Sequence, residues 1–169
     1  EDVERIRASL GLDRAFIVRF TEWLFRVLSG DLGVSIFTNL PVSHMIKQRL
    51  EPTFSLMLLT LVIALSFAIP MGVIAAWKHG TWIDRLVMVF AVLGFSVPVF
   101  VIGYLMIYVF AITLGWFPVQ GYQPLSQGFG GYVQRLVLPA LTLSVIYIAL
   151  IARMTRASVL EVLNEDYIR

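Results

Sequence analysis

Two long uncharged stretches dominate the pattern of polar and apolar positions along the chain. No charged residue occurs between Glu51 and Lys78, a stretch of 26 residues. A helix that crosses a hydrocarbon core of about 30 Å needs roughly 20 apolar residues. The first stretch therefore predicts a membrane span at about residues 53–77, with Pro52 in the first helical position. Pro70, near the far end, predicts a bend.

The second stretch, between Arg85 and Arg135, has 49 uncharged residues and is too long for one span. It is interrupted by GWFPVQGYQPLSQGFGGYVQ, residues 115–134, which contains five glycines and two prolines and is typical of a loop. The remaining parts predict a second span at about 86–114 and a third at about 133–153. The second would be roughly 43 Å long at 1.5 Å per residue, so it must tilt, kink or project.

Basic residues are unevenly distributed over the segments that flank these spans. The connection KHGTWIDR, residues 78–85, is basic, and Arg153 and Arg156 follow the third span, whereas the glycine-rich loop has no Lys or Arg. Lys and Arg are enriched in cytoplasmic loops of membrane proteins. We therefore predict that residues 78–85 and 153–169 are cytoplasmic.

Residues 1–51 are then extracytoplasmic. Apolar residues recur there at helical spacing, opposite a charged face that contains Arg19, Glu22 and Arg26. The apolar positions are Phe16, Ile17, Phe20, Trp23, Leu24, Val27 and Leu28. This pattern predicts an amphipathic helix that lies on the membrane or packs on the outer face of the protein. Residues 41–50 predict a second, shorter amphipathic segment.

The composition supports a membrane protein and excludes several other classes. The chain is 59% hydrophobic and 14% charged, whereas soluble domains are about 25% charged. A net charge of +2 without a dense Lys/Arg run does not favour a nucleic-acid partner. There is no cysteine, and His44 and His79 are far apart, so no metal site is expected. No catalytic motif is present, and we expect no catalytic residues.

The predicted spans contain small and polar residues but no Asp, Glu, Lys or His at their centres. Ion-coupled transporters usually carry such groups there, so this pattern argues against that class. The segment GFSVPVFVIG predicts a kink at Pro98, with Gly94 and Ser96 beside it. Thr142, Ser144 and Tyr147 lie on the third span. Both sets are explained most simply by helix packing, and the alternative is the lining of a translocation pathway.

A polar segment, RMTRASVLEVLNEDYIR, follows the third span at residues 153–169. Leu160, Leu163 and Tyr167 share one helical face, while Glu161 and Glu165 share another with Arg169. We predict a short amphipathic helix on the cytoplasmic side.

Seven segments together resemble the dipeptide/oligopeptide/nickel family of ABC-transporter permease subunits. They are GDLGVS (30–35), PVSHMIKQRLEPTFSL (41–56), IPMGVIAAWKHGTWIDR (69–85), GFSVPVFVIG (94–103), LGWFPVQGY (114–122), LPALTLS (138–144) and RMTRASVLEVLNEDYIR (153–169). The resemblance implies an all-α, polytopic transmembrane bundle of the ABC importer permease type. Family members have about six spans, so these three would be the second to fourth. Because the chain starts at Glu1 rather than Met, we expect a fragment of a longer protein.

The resemblance also implies an activity and its partners. Such a permease imports small peptides or related solutes across the bacterial inner membrane, and is not itself an enzyme. It pairs with a second, homologous permease, two cytoplasmic ATPase subunits that bind ATP and Mg, and an extracytoplasmic solute-binding protein. Residues 154–169 would begin the cytoplasmic coupling loop, with ATPase-coupling residues at Glu161, Glu165, Asp166, Tyr167 and Arg169. An ion-coupled secondary transporter and a receptor-like membrane anchor remain alternatives.

Overall fold

The computed structural model describes residues 14–163 and Glu165. In this part of the chain the regular structure is helical, with one isolated bridge between Val34 and Pro41, so the all-α prediction is confirmed. The chain forms two compact units, Glu1–Leu50 and Glu51–Arg169. The α-helices are α1 (Phe16–Leu28), α2 (Val42–Trp77), α3 (Trp82–Ser96), α4 (Val99–Met106) and α5 (Phe129–Leu163). A π-helix, Ile107–Thr113, follows α4, and a 3-10 turn, Leu125–Gln127, precedes α5.

Helix α1 has the amphipathic pattern predicted for it. None of its residues is buried, and on its apolar face the rings of Phe16, Phe20 and Trp23 form a row with centroids about 6 Å apart. Outside that face, Glu22 forms an ion pair with Arg14 at 2.8 Å. The helix therefore presents an uncovered aromatic surface.

Helix α2 begins earlier than the sequence predicted. It starts at Val42, so the predicted separate segment 41–50 is continuous with the first span, and Pro52 lies inside the helix rather than at its first position. A proline at 52 removes the hydrogen bond to the carbonyl of Gln48. Gln48 is exposed, and a carbonyl freed at an exposed position costs less than one freed inside an apolar segment.

The second predicted span is broken in the middle. The axes of α3 and the α4/π-helix segment differ by 101°, and Val97 and Pro98 between them are extended, with ψ of 122° and 137°. Because Pro98 has no N–H, the carbonyl of Gly94 loses its helical partner. The kink predicted at Pro98 is therefore observed.

Helices α2 and α5 are each long and apolar enough to cross a membrane, and the bent pair gives a third span if it counts as one. Helix α5 starts at Phe129, earlier than predicted, and continues through Pro139 to Leu163. The first part of the predicted cytoplasmic helix is thus a direct extension of the third span.

Small side chains form the core between these helices. Along α2 they recur at every fourth position, at Ala64, Ala68, Gly72 and Ala76, all of which are buried. This spacing allows helix backbones to approach closely in a membrane, where packing rather than the hydrophobic effect holds helices together. A Cβ atom on Gly72 would lie 2.7 Å from the carbonyl oxygen of Ala152 on α5. The contact between α2 and α5 therefore requires glycine at this position.

Candidate functional site

The residues predicted around the kink have different environments. Gly94 is buried against α5, where an added Cβ would lie 2.7 Å from the Cβ of Ala149. Ser96 is exposed, and its hydroxyl donates to the carbonyl of Val92 at 2.8 Å. The carbonyl of Gly94 cannot receive a hydrogen bond from Pro98, so the break leaves a polar backbone group within an apolar segment.

The predicted polar residues of α5 do not form one cluster. Thr142 donates to the carbonyl of Leu138 at 2.9 Å, and Ser144, which is only 1% exposed, donates to the carbonyl of Leu141 at 2.9 Å. Tyr147 is 51% exposed. The two hydroxyls that bond to their own helix behave as packed membrane-helix residues do, and Tyr147 is left as the accessible one.

Two concave surfaces flank α5. A cavity of about 470 Å³ lies beside Thr142, and its lining includes Gly103, Gln120 and Arg135. A second groove of about 530 Å³ is lined by Tyr147 and Thr60 among mainly apolar residues. The hydroxyl of Thr60 is buried and has no hydrogen-bond partner among the described residues. Sequence analysis did not identify Thr60, although it continues the four-residue spacing of small residues on α2.

An ion pair joins α3 to the far part of α5. Asp84, 4% exposed, lies in the first turn of α3, where a negative charge is favourable. Its two carboxylate oxygens accept hydrogen bonds from Nε and Nη2 of Arg156 at 2.5 Å and 2.8 Å. This bidentate arrangement fixes the guanidinium in one orientation. Two segments that are 72 residues apart in sequence are therefore held together.

The connection between α2 and α3 completes this network. The backbone N–H of Gly80 donates to Asp84 Oδ2 at 3.0 Å, and Gly80 has a φ of 77° that favours glycine. His79 Nδ1 lies 3.1 Å from Asp84 Oδ2 and 3.0 Å from Arg156 Nη2, so it donates to the carboxylate or accepts from the guanidinium. We call the region of His79, Gly80, Asp84 and Arg156 the ion-pair end.

This network was not predicted from the sequence, in which residues 78–85 and Arg156 counted only as basic flanks of the spans. The available signal was a single acid, surrounded by bases, in the first turn of an apolar helix. Its partner could not be read from the sequence, because Arg153 and Arg156 are equally basic and only the structure places Arg156 beside Asp84. Arg153 instead lies 5.3 Å from the centroid of the Phe95 ring.

The predicted coupling residues lie at and beyond the end of α5. Glu161 is exposed in the last turn of the helix, and Glu165 is exposed in a bend that follows it. Asp166, Tyr167 and Arg169 lie outside the described residues. Their assignment as coupling residues stays a prediction.

The opposite end of the Glu51–Arg169 unit is held by single hydrogen bonds. The N–H of Leu125 donates to Glu51 Oε1 at 3.0 Å, and Arg135 Nη1 donates to the carbonyl of Gln120 at 3.2 Å. The hydroxyl of Tyr122 is buried beside Ser55 and Glu51, but it makes no hydrogen bond of good geometry with a described residue. Burial raises the pKa of the Tyr122 phenol above its usual value. We call the region of Glu51, Tyr122, Leu125 and Arg135 the loop end.

Comparison with known proteins gives a consistent result. The family described as binding-protein-dependent transport system inner membrane component matches residues 68–169. A protein of Sinorhizobium fredii named as a peptide ABC transporter permease, y4tP, is 50% identical over 99% of this chain and 53% of its own length. The glutathione transport system permease GsiC of Escherichia coli K12 is 39% identical over 99% of this chain and 52% of its own length. The chain thus spans about half the length of these relatives, and the predicted resemblance to peptide-family ABC permeases is confirmed.

Proposed function

The chain belongs to the family of binding-protein-dependent transport system inner membrane components, and from this premise we propose that it is part of the permease of an ATP-driven ABC importer for small peptides or related solutes. The names of its relatives, which refer to peptide and glutathione transport, support this solute class. ATP would be hydrolysed by partner subunits, with Mg, and not by this chain.

The observation that carries the proposal is the continuity of α5. One helix runs from Phe129 through the apolar segment to Leu163 and carries the exposed Glu161 in its last turn. A continuous helix transmits a displacement as a rigid body. An ATPase that binds the segment around Glu161, Glu165, Asp166, Tyr167 and Arg169 would therefore move the membrane part of α5 directly.

We assign the broken span and the polar residues of α5 to the pathway side of the same mechanism. Because Pro98 cannot donate to the carbonyl of Gly94, that carbonyl needs another polar partner, and in membranes irregular backbone occurs where it is buried in protein or lines an aqueous cavity. Ser96 and Pro98 lie at this break, and Thr142, Ser144 and Tyr147 lie on the helix that packs against it. In this proposal Tyr147 and Ser96, which are exposed, contact solute, while Thr142 and Ser144 hold the helices in place.

The proposed assembly contains this permease, a second homologous permease, two cytoplasmic ATPase subunits and an extracytoplasmic solute-binding protein, in the bacterial inner membrane. The ion-pair end would face the cytoplasm, with residues 78–85 and 153–169. The ion pair between Asp84 and Arg156 supports a common side for these two segments.

Reconstitution of the full-length protein tests the proposal. Affinity purification from native membranes should recover two ATPase subunits, and proteoliposomes that contain the complex and its binding protein should take up radiolabelled trialanine or glutathione only with MgATP. Joint replacement of Glu165, Asp166 and Tyr167 by alanine should abolish ATPase recovery, while Glu22→Ala on α1 should not. Purification without any ATPase, or uptake driven by an ion gradient alone, would contradict the proposal.

A separate labelling experiment tests the orientation. The chain has no cysteine, so Lys78→Cys and Glu161→Cys can be labelled individually with a membrane-impermeant maleimide. Both should react in inside-out vesicles and be protected in right-side-out vesicles. Opposite labelling of the two positions would show that the topology is wrong.

A further inference from the structure

Helix α3 is attached to α5 at both of its ends. In its first turn, Asp84 forms the bidentate ion pair with Arg156. Near its last turn, Gly94 lies so close to Ala149 that an added Cβ would be 2.7 Å away. Between these points Val87 belongs to the same buried cluster as Ile148 and Ala152. Two attachments separated by most of the length of a helix prevent it from pivoting on its neighbour.

The part of the span beyond the break is attached less tightly. An added Cβ on Gly103 of α4 would lie 3.4 Å from Thr142, which is ordinary contact. The cavity of about 470 Å³ lies between part of α4, residues 118–121 of the glycine-rich loop, and α5. Val97 and Pro98, which join the two arms, have extended backbone without a continuous helical hydrogen-bond pattern. The joint between the arms is therefore the most deformable point of the span.

We propose that Asp84 and Arg156 are positioning residues that make α3 move together with α5, so that a displacement of the cytoplasmic end of α5 changes the angle between the two arms at Val97 and Pro98. This inference rests on the proposed function, because it needs an ATPase that displaces α5. Without the ion pair, α3 keeps its apolar packing at Val87 and Gly94 but loses the directional link that fixes its first turn to α5.

The geometry of the pair suits this positioning role in addition to its contribution to stability. Arg156 donates through two nitrogens to two oxygens, which fixes direction as well as distance. Both charged groups are largely shielded from solvent, with 5% of the Asp84 side chain and 19% of the Arg156 side chain exposed, so salt screens their attraction weakly. Such a link transmits force through a motion without opening.

Distance measurements in the assembled transporter test the inference. Spin labels at Arg85→Cys and Ile112→Cys, both exposed, report the separation of the two arms, measured without nucleotide and with MgATP and vanadate. We expect the distance to change between the two states. In Arg156→Gln the change should fall by at least half, and the charge-swapped double variant Asp84→Arg with Arg156→Asp should restore most of it.

Arg153→Gln is the matched control, because Arg153 lies one turn away and contacts the Phe95 ring rather than Asp84; the nucleotide-dependent change should persist in it. If Arg156→Gln does not assemble, Arg156→Lys keeps the charge without the bidentate geometry and should give an intermediate change. Three results would overturn the inference. The nucleotide-dependent change in distance could be as large in Arg156→Gln or Arg156→Lys as in the unaltered transporter, the double variant could fail to restore it, or the unaltered transporter could show no change. Recovery of the ATPase subunits in the same preparations shows that the proposed function itself has not failed.

Discussion

The two ends of the Glu51–Arg169 unit are held together in different ways. At the ion-pair end, a part-buried bidentate pair links Asp84 to Arg156, and Gly72 packs so closely on the carbonyl of Ala152 that it leaves no room for a Cβ. At the loop end, single hydrogen bonds attach Leu125 to Glu51 and Gln120 to Arg135. The ion-pair end therefore depends on close contacts with little room to adjust. The loop end depends on hydrogen bonds that water can replace.

This difference indicates which end can transmit a displacement and which can accommodate one. Rigid transmission needs direct backbone or charge contacts that remain closed, as at the ion-pair end. A surface loop held by single hydrogen bonds opens at a small free-energy cost, since each exposed bond contributes only about 1 kcal/mol. Substitutions of equal chemistry at the two ends should therefore have unequal effects.

The largest effect is expected for Asp84→Ala. This change leaves the guanidinium of Arg156, whose side chain is 19% exposed, without its counter-ion, and the cost is below the roughly 3–5 kcal/mol that removing one partner of a fully buried pair requires. The melting temperature of the purified complex, followed by intrinsic fluorescence, should fall by much more than in Glu51→Ala. Similar melting temperatures for the two variants would show that the ends do not differ as proposed.

The next effect is expected for Gly72→Ala. Its Cβ would lie 2.7 Å from the Ala152 carbonyl and 2.6 Å from the Thr155 Cβ, so α2 and α5 must separate, at about 1–3 kcal/mol for overpacking. Gly131→Ala at the loop end is the matched control, because its Cβ meets only the amide of Gln123, which can rotate away. Thermal unfolding should separate the two variants, and equal stability would contradict the close backbone contact.

A smaller effect is expected for Glu51→Gln. The amide oxygen can still accept the hydrogen bond from the N–H of Leu125, but it loses the strength that the negative charge provides. We expect a loss of about 1 kcal/mol or less, seen as faster hydrogen–deuterium exchange in residues 122–127. Exchange rates as protected as in the unaltered protein would mean that this bond does not hold the loop.

The smallest effect is expected for Tyr122→Phe. The buried hydroxyl lies beside Ser55 and Glu51 without a hydrogen bond of good geometry to a described residue, so its removal should leave stability nearly unchanged. Burial raises the pKa of Tyr122 in the folded protein. Below about pH 10 the phenol is neutral in both the folded and the unfolded chain. As the pH rises above about 10, the unfolded chain ionises first, so the folded state loses stability. Absorbance at 295 nm should show that this variant lacks one late-titrating tyrosine.

Much of the fold could be predicted because it depends on composition over long windows. Uncharged stretches identified the helices around Thr60, Gly94 and Ser144, and glycine and proline identified the loop that precedes α5. The kink at Pro98 was predictable for a local reason, since proline lacks the N–H that a helix needs. The helix starts were less well predicted, because a continuous helix through Pro52 depends on solvation of a single carbonyl.

The candidate site was predicted only in part. Pro98 and Gly94 carry local signals, whereas Thr142, Ser144 and Tyr147 have similar polarity in sequence and differ only in what surrounds them. The partner of Asp84 was not predictable, because two arginines one turn apart are equivalent until α3 packs against α5.

The sequence by itself determined that this chain is an all-α membrane protein, which of its segments are apolar enough to cross the bilayer, and where one of them breaks. Those properties follow from the free-energy cost of placing a charge or an unpaired backbone group in hydrocarbon. Each residue adds to this cost locally, whatever it contacts in the fold. Only the tertiary structure decided that Gly72 meets Ala152 and that Arg156, rather than Arg153, binds Asp84. Such pairings depend on the rotation and register of whole helices, and small residues that permit close approach at many positions do not specify one of them.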